Sequence, residues 1–220
     1  MVSHSSAGST FSRRPSCPPA GKQGGAMPSH VFVSGPPGIG KTTLIKKVSE
    51  VLTSSRVLVD GFYTEEVRQG QRVGFDVVTM SGNREKLARI GVELNNARCI
   101  HRVGQYVVDI SSFEHLVLPL MDRFSSTTNI SQKTVCVIDE IGKMELFSQP
   151  FILSVKKILD NQSAVVFGSL PISRGRFLPF VEEVKHRQDV KLFNVTKENR
   201  DGILNEIVAS IQDCVIAKSK

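Results

Sequence analysis

From residue 31 onward, short apolar runs alternate with amphipathic stretches. Val31-Phe-Val-Ser34 is an apolar run closed by glycines and prolines, the pattern of a buried strand. Leu44, Ile45, Val48, Val51 and Leu52 follow at helical spacing and predict a helix over 42–52. Two strands, 57–64 and 72–79, flank Gln69-Gly70-Gln71, which reads as a hairpin turn. A short helix is expected within 82–91 and another strand over 105–110. Ser111-x-x-Glu114 has capping-box spacing and predicts a helix with Phe113, Leu116, Val117 and Leu120 on one face, which Pro119 would kink or shorten. A polar loop, 125–133, leads to Val135-Cys-Val-Ile138, the clearest buried strand in the chain. Ser148 is expected to cap a helix carrying Phe151, Ile152, Val155, Ile158 and Leu159. Strands are predicted at 164–168 and 190–195, and Ile203, Leu204, Ile207, Val208 and Ile211 mark a final amphipathic helix. Near-continuous apolar strands alternating with helices predict an α/β fold. Its sheet would be mostly parallel, with helices on both faces and a β-hairpin extension.

Length changes the picture little: 220 residues suit one α/β domain with at most an appendage. Residues 1–26 are rich in Ser, Pro and Gly, lack an apolar period and read as a disordered extension before a domain over 27–220. Arg13, Arg14 and Lys22, with no acid among them, give this extension a charge of +3 out of the total of +7. Such a composition bears a faint likeness to a mitochondrial transit peptide, but its Pro and Gly would break the required amphipathic helix. A cytoplasmic protein is therefore expected, with mitochondria the minor alternative. No apolar run approaches the ~18 residues of a membrane span, so no membrane association is expected.

The remaining +4 is spread over an ordinary solvated surface. With no Trp and only two Tyr, a stacking platform for single strands is absent, and no nucleic acid partner is expected. Cys17, Cys99, Cys136 and Cys214 are scattered and form no CxxC pair, which excludes zinc and disulfide frameworks and fits a reducing compartment. A monomer acting on anionic small molecules is the remaining expectation.

One motif decides the class of ligand. Gly35-Pro-Pro-Gly-Ile-Gly40-Lys41-Thr42 matches G-x-x-x-x-G-K-[ST] between a predicted strand and a predicted helix, the context that motif requires. Its glycines let successive backbone N–H groups turn inward toward phosphate oxygens above a helix N-terminus. Gly38, Gly40 and Lys41 would hold the phosphates, and the Thr42 hydroxyl would ligate Mg²⁺. The strand 135–138 runs straight into Asp139-Glu140, so both carboxylates sit at its carboxyl end, where open parallel sheets bind ligands. Asp139 is placed for the Mg²⁺ shell, and Glu140 for orienting or deprotonating an attacking water. Asp139-Glu-Ile-Gly142 also fits the D-x-x-G pattern of GTPases, but no Asn-Lys-x-Asp stretch accompanies it. Thr196, Lys197 and Asn199 are weak base-contact candidates, with Thr196 capping the final helix as the simpler alternative.

Four stretches occur together and in order. They are Gly35-Pro-Pro-Gly-Ile-Gly-Lys-Thr-Thr43, Val59-Asp-Gly-Phe-Tyr-Thr-Glu-Glu-Val-Arg68, Gly74-Phe-Asp-Val-Val78 and Val137-Ile-Asp-Glu-Ile-Gly-Lys-Met-Glu-Leu146. With them the chain closely resembles the THEP-type P-loop NTPases, the family of the cancer-related nucleoside triphosphatases. The likeness runs from about Met27 to the C-terminus and is most specific over 139–146. What it implies is Mg²⁺-dependent hydrolysis of nucleoside triphosphates (ATP, GTP, CTP, UTP) to diphosphate and phosphate, slow and tolerant of the base. It further implies nucleotide contacts from two stretches. One is the phosphate loop, including Pro36, Pro37, Ile39 and Thr43. The other is the segment Val135, Cys136, Val137, Ile138, Asp139, Glu140, Ile141 and Gly142.

A cation that neutralises the γ-phosphate accelerates phosphoryl transfer, and Arg174, Arg176 and Lys143 are the candidates for one beside Lys41. Glu65, Glu66 and Arg68 are expected to line the site opposite Asp139, the alternative being solvent. Glu145 reads as an ion-pair partner of Lys143 or Lys41 and not as the base. Arg84, Lys86 and Arg89 read as a solvated helix face. No histidine spacing suggests a metal, and His115 reads as structural or exposed. Two rival functions remain at this level: a nucleotide or small-molecule kinase on the same fold, and a nucleotide-gated interaction module with slow hydrolysis.

Overall fold

The fold is taken from a computed structural model, which describes Met1 and residues 28–91, 101–126, 134–172 and 177–217. Residues 2–26 of the predicted extension and 127–133 of the predicted loop lie outside the described residues, as do Arg174 and Arg176.

Nine strands among the described residues form a single sheet. In chain order they are β1 (His30–Gly35), β2 (Leu58–Gln69), β3 (Gln71–Thr79), β4 (Arg84–Ile90), β5 (His101–Val103), β6 (Tyr106–Val108), β7 (Thr134–Ile138), β8 (Ala164–Pro171) and β9 (Val190–Asn194). Their spatial order is β5-β6-β4-β3-β2-β7-β8-β1-β9. The β2-β7-β8-β1-β9 half is parallel, and β3, β4, β6 and β5 extend it antiparallel from the long outer arm of β2. Five helices among the described residues cover the faces: α1 (Lys41–Ser54), α2 (Ile110–Ser126), α3 (Gln149–Asp160), α4 (Pro179–Lys185) and α5 (Leu204–Ala217). Among the described residues no helix is long and apolar enough to cross a membrane.

The two-residue period of the strands makes two cores. Val31 and Val33, Val135 and Val137, and Val165 and Phe167 point to the layer of α1 and α5. Phe32, Cys136, Ile138 and Val166 point to the layer of α2 and α3. On that side Phe62, Phe113 and Phe151 meet edge to face, with ring centroids 5.2–6.0 Å apart, and lock β2 to both helices. Ser148 caps α3 as predicted, its Oγ accepting the Phe151 N–H at 3.1 Å. His30 is fully buried, with Nε2 2.9 Å from the Leu159 carbonyl and Nδ1 accepting the Val166 N–H, a structural histidine; His115 is exposed on α2.

Three expectations need correction. Residues 82–91 hold no helix; 84–90 are β4, although Arg84-Glu-Lys-Leu-Ala-Arg89 is a run of good helix formers. The free edge of β3 takes the segment instead, and a bulge at Leu87 turns both Leu87 and Ala88 into the core. Arg84 and Arg89 are therefore not a solvated helix face: both clasp the buried Asp76 of β3. The start of α2 is fixed by Asp109, whose carboxylate accepts the Ser112 N–H at 3.1 Å, not by a Ser111 capping box. Glu114 instead accepts the Ser148 hydroxyl at 2.6 Å. Pro119 lies on the exposed side of α2 without ending it. Sequence reading also missed α4, the short β5 and a 3₁₀ turn over Glu145–Phe147.

Candidate active site

The loop between β1 and α1 follows from its glycines. Gly38 (φ 74°) and Gly40 (φ 105°) are left-handed, where any side chain would be strained, and a Cβ on either would point into open space. Gly40 ends the loop as the N-cap of α1 with no side-chain cap, which leaves the first N–H groups of the helix for an anion. Lys41 is buried to 8% exposure, and its Nζ donates to the Gly35 carbonyl at 3.2 Å, which places the ammonium within the loop.

β7 brings the acidic pair to the same sheet edge. The Asp139 N–H donates to the Phe62 carbonyl and the Ile141 N–H to the Ser169 carbonyl, so the segment is held between β2 and β8. The peptide between Asp139 and Glu140 is cis. Asp139 is 1% exposed; its Oδ1 accepts the Ser169 hydroxyl at 2.6 Å, while the equally buried Oδ2 has no hydrogen-bond partner in the protein. Burial pushes its carboxyl above the ordinary range, opposed by the Ser169 and Thr42 hydroxyls and the Lys41 charge. Burial likewise raises Glu140, with Lys41 pulling it down and Asp139 pushing it up. One lysine thus acts on the buried Asp139 and the half-buried Glu140.

That arrangement fits a divalent cation. An orphaned buried oxygen on Asp139 and the Thr42 hydroxyl near it are hard oxygen donors beside an uncapped helix terminus. Among the described residues no group of three or more His, Cys, Asp or Glu side chains forms an all-protein metal cage. A Mg²⁺ site of the few-ligand type, completed by water and phosphate, needs none.

Ser169 was not found by sequence reasoning, because the predicted strand stopped at Gly168 and β8 continues to Pro171. Glu145 is 4% exposed, and its Oε2 accepts the Gly142 N–H at 3.1 Å; it forms no ion pair with Lys143 or Lys41, contrary to expectation. Glu65 is bonded by Lys46 of α1 and Arg84 of β4, and Glu66 by Arg68 and Arg72 of the hairpin, so both acids are held in ion pairs. Lys143 is exposed and lines a cavity of about 300 Å³ with Arg102, Phe147 and Leu178, whose lining includes no residue of the phosphate loop. Asn199 accepts the Thr196 N–H and donates to the Asn194 carbonyl; α5 begins only at Leu204, so Thr196 does not cap it.

Residues 30–208 match the family described as NTPase. The chain belongs to the NTPase family. It is 56% identical over 187 residues to the cancer-related nucleoside-triphosphatase of Homo sapiens, covering 84% of this chain and 98% of that one. It is 37% identical over 183 residues to nucleoside-triphosphatase THEP1 of Thermotoga maritima, covering 83% and 95%. The solution structure of the human cancer-related nucleoside triphosphatase superimposes with a TM-score of 0.74 at 56% identity, over 84% of this chain and 97% of that one. The crystal structure of THEP1 from Aquifex aeolicus gives 0.71 at 34% identity, over 83% and 99%. The P-loop α/β fold with its mixed sheet is thus the fold of the NTPase family.

Glu145 gives the site a pH signature. Burial first, and the Glu140 charge second, push its carboxyl from 4.5 up to about 8. An acid whose folded pKa is raised stabilises the fold fully below the unfolded pKa and loses that contribution as pH climbs through the folded one. Thermal stability of the wild type should therefore fall between pH 5 and 8 more steeply than that of Glu145→Gln. The difference in slope should be up to about 1.4 kcal/mol per pH unit. Parallel curves of Tm against pH for the two proteins would show that Glu145 titrates normally.

Proposed function

We propose that this chain is a Mg²⁺-dependent nucleoside-triphosphatase. It would cleave the β–γ bond of ATP, GTP, CTP and UTP to give the diphosphate and phosphate. One observation carries this reading: a helix-terminal phosphate loop and an Asp-Glu pair, Asp139 buried and Glu140 half-buried, share one sheet edge, with the Lys41 charge acting on both carboxyls.

The loop amides around Gly38 and Gly40 and the Lys41 ammonium bind the phosphates, and Pro36, Pro37 and Ile39 shape the turn. Thr42 and Asp139 would hold the metal. Mg²⁺, when bound, offsets the charge of the phosphate oxygens as the bond to the γ-phosphorus breaks. Glu140 orients the attacking water and takes its proton; burial keeps it a stronger base than a solvated carboxylate. Ser169 fixes Asp139 by the bond to Oδ1 and leaves Oδ2 for the metal shell. Tolerance of the base fits the absence of an Asn-Lys-x-Asp stretch. Arg174, Arg176 and Lys143 stand as the candidate fingers in cis. Residues 27–220 form the catalytic domain, working as a cytosolic monomer without nucleic acid.

The test is phosphate release from the four triphosphates with Mg²⁺ and no added acceptor. Release from several of them, abolished by chelating the metal, is the expected result. Tight nucleotide binding with no release would move the assignment to a kinase awaiting its acceptor or a nucleotide-gated binder.

A further inference from the structure

Glu145 is a buried carboxyl that neither the phosphate loop nor the metal donors use. No cation pairs with it among the described residues, yet burying an acid without one is costly. An apolar side chain of similar volume would fill the place more cheaply. What Glu145 does instead is hold backbone. Its Oε2 accepts the Gly142 N–H at 3.1 Å, and the Gly142 carbonyl accepts the Leu146 N–H at 3.1 Å, so the turn 142–146 is closed from both sides.

That turn sits directly on Glu140. A Cβ placed on Gly142 would come within 3.1 Å of both Glu140 Oε1 and Glu145 Oε2, so the two carboxyl oxygens lie within about 6 Å of each other. The far side of Glu145 is anchored as well. Its carbonyl accepts the Ser148 N–H at 3.0 Å, and Ser148 caps α3 and donates to Glu114 of α2. Glu145 therefore joins the segment carrying Glu140 to the helical layer.

We propose that Glu145 is a positioning residue for hydrolysis: its carboxyl fixes the Gly142 turn and so holds Glu140 in place for the water. This rests on the reading of Glu140 as the group that activates water. Glu145 acts on the reaction through Glu140.

Three variants test it, each assayed for phosphate release and for nucleotide dissociation constant. Glu145→Leu removes the acceptor and should lower kcat at least about 10-fold with affinity within about twofold of wild type. Glu145→Gln keeps an acceptor oxygen for the Gly142 N–H and should recover most of the lost turnover. Glu140→Gln is the reference and should be inactive while binding nucleotide. Near-wild-type kcat in Glu145→Leu would overturn the proposal, as would a parallel loss of affinity and turnover or a Gln variant as impaired as the Leu one. If Glu145→Leu fails to fold, Glu145→Asp, which draws the acceptor back from Gly142, carries the same comparison. An inactive Glu140→Gln beside a fully active Glu145→Leu sinks the positioning role alone. An active Glu140→Gln removes the reading beneath it, and the proposal with it.

Discussion

Glu140→Gln should release phosphate roughly 10²–10⁴ times more slowly than wild type while binding nucleotide with unchanged affinity. The amide keeps the size of the side chain and one acceptor oxygen, so a water can still dock against it. It cannot take the proton, and the nucleophile stays weak. Lys41→Ala should behave in the opposite way. Its ammonium lies inside the phosphate loop, bonded to the Gly35 carbonyl, where a bound anion would recruit it. Its loss should show first as weakened nucleotide binding. Equilibrium binding of a fluorescent triphosphate, set beside single-turnover phosphate release, separates the two. Equal loss of affinity in both variants would defeat this division of labour.

Gly61→Ala should destabilise the fold by roughly 3–5 kcal/mol and lower Tm on the order of 10 °C. Gly61 adopts φ 139°, and a Cβ there would fall 2.1 Å from the Val137 carbonyl oxygen and 2.6 Å from its nitrogen. Those atoms belong to the paired strand β7, so no side chain can move aside to relieve the overlap. The strands must part just below the point where the Asp139 N–H bonds the Phe62 carbonyl. Thermal denaturation reads the effect directly. A Tm within about 3 °C of wild type would mean that β2 and β7 separate at little cost.

The phosphate loop and the acidic pair were legible because their chemistry is written in consecutive residues. The spacing Gly35 to Thr42 and the run 135–140 each carry their own structural context. The parallel strands were legible for a similar reason, since burial on both faces leaves uninterrupted apolar runs. The antiparallel arm was harder to read. In β4 the local preference of Arg84-Glu-Lys-Leu-Ala is helical, and the edge of β3 with Asp76 overrules it from eight or more residues away. Ser169 went unassigned for the same reason: it acts on Asp139, which only the sheet brings near. Glu145 was read as an ion-pair partner because its burial is set by packing that no local pattern records. Gly61 sat in a quoted motif, yet its necessity lies in the approach of Val137, which no linear pattern records.

The order of the strands has a consequence for how this protein meets copies of itself. Among the described residues the sheet ends on β5, with three residues, and on β9, with five. Each offers a short template to a strand from another chain. The strands that bear the phosphate loop and the acidic pair, β1 and β7, have neighbours on both sides. Nothing can add to them by hydrogen bonding without first displacing a partner. Edge-to-edge growth, the usual route from a β-rich fold to an aggregate, is therefore directed to β5 and β9 and not to the two strands that carry the chemistry.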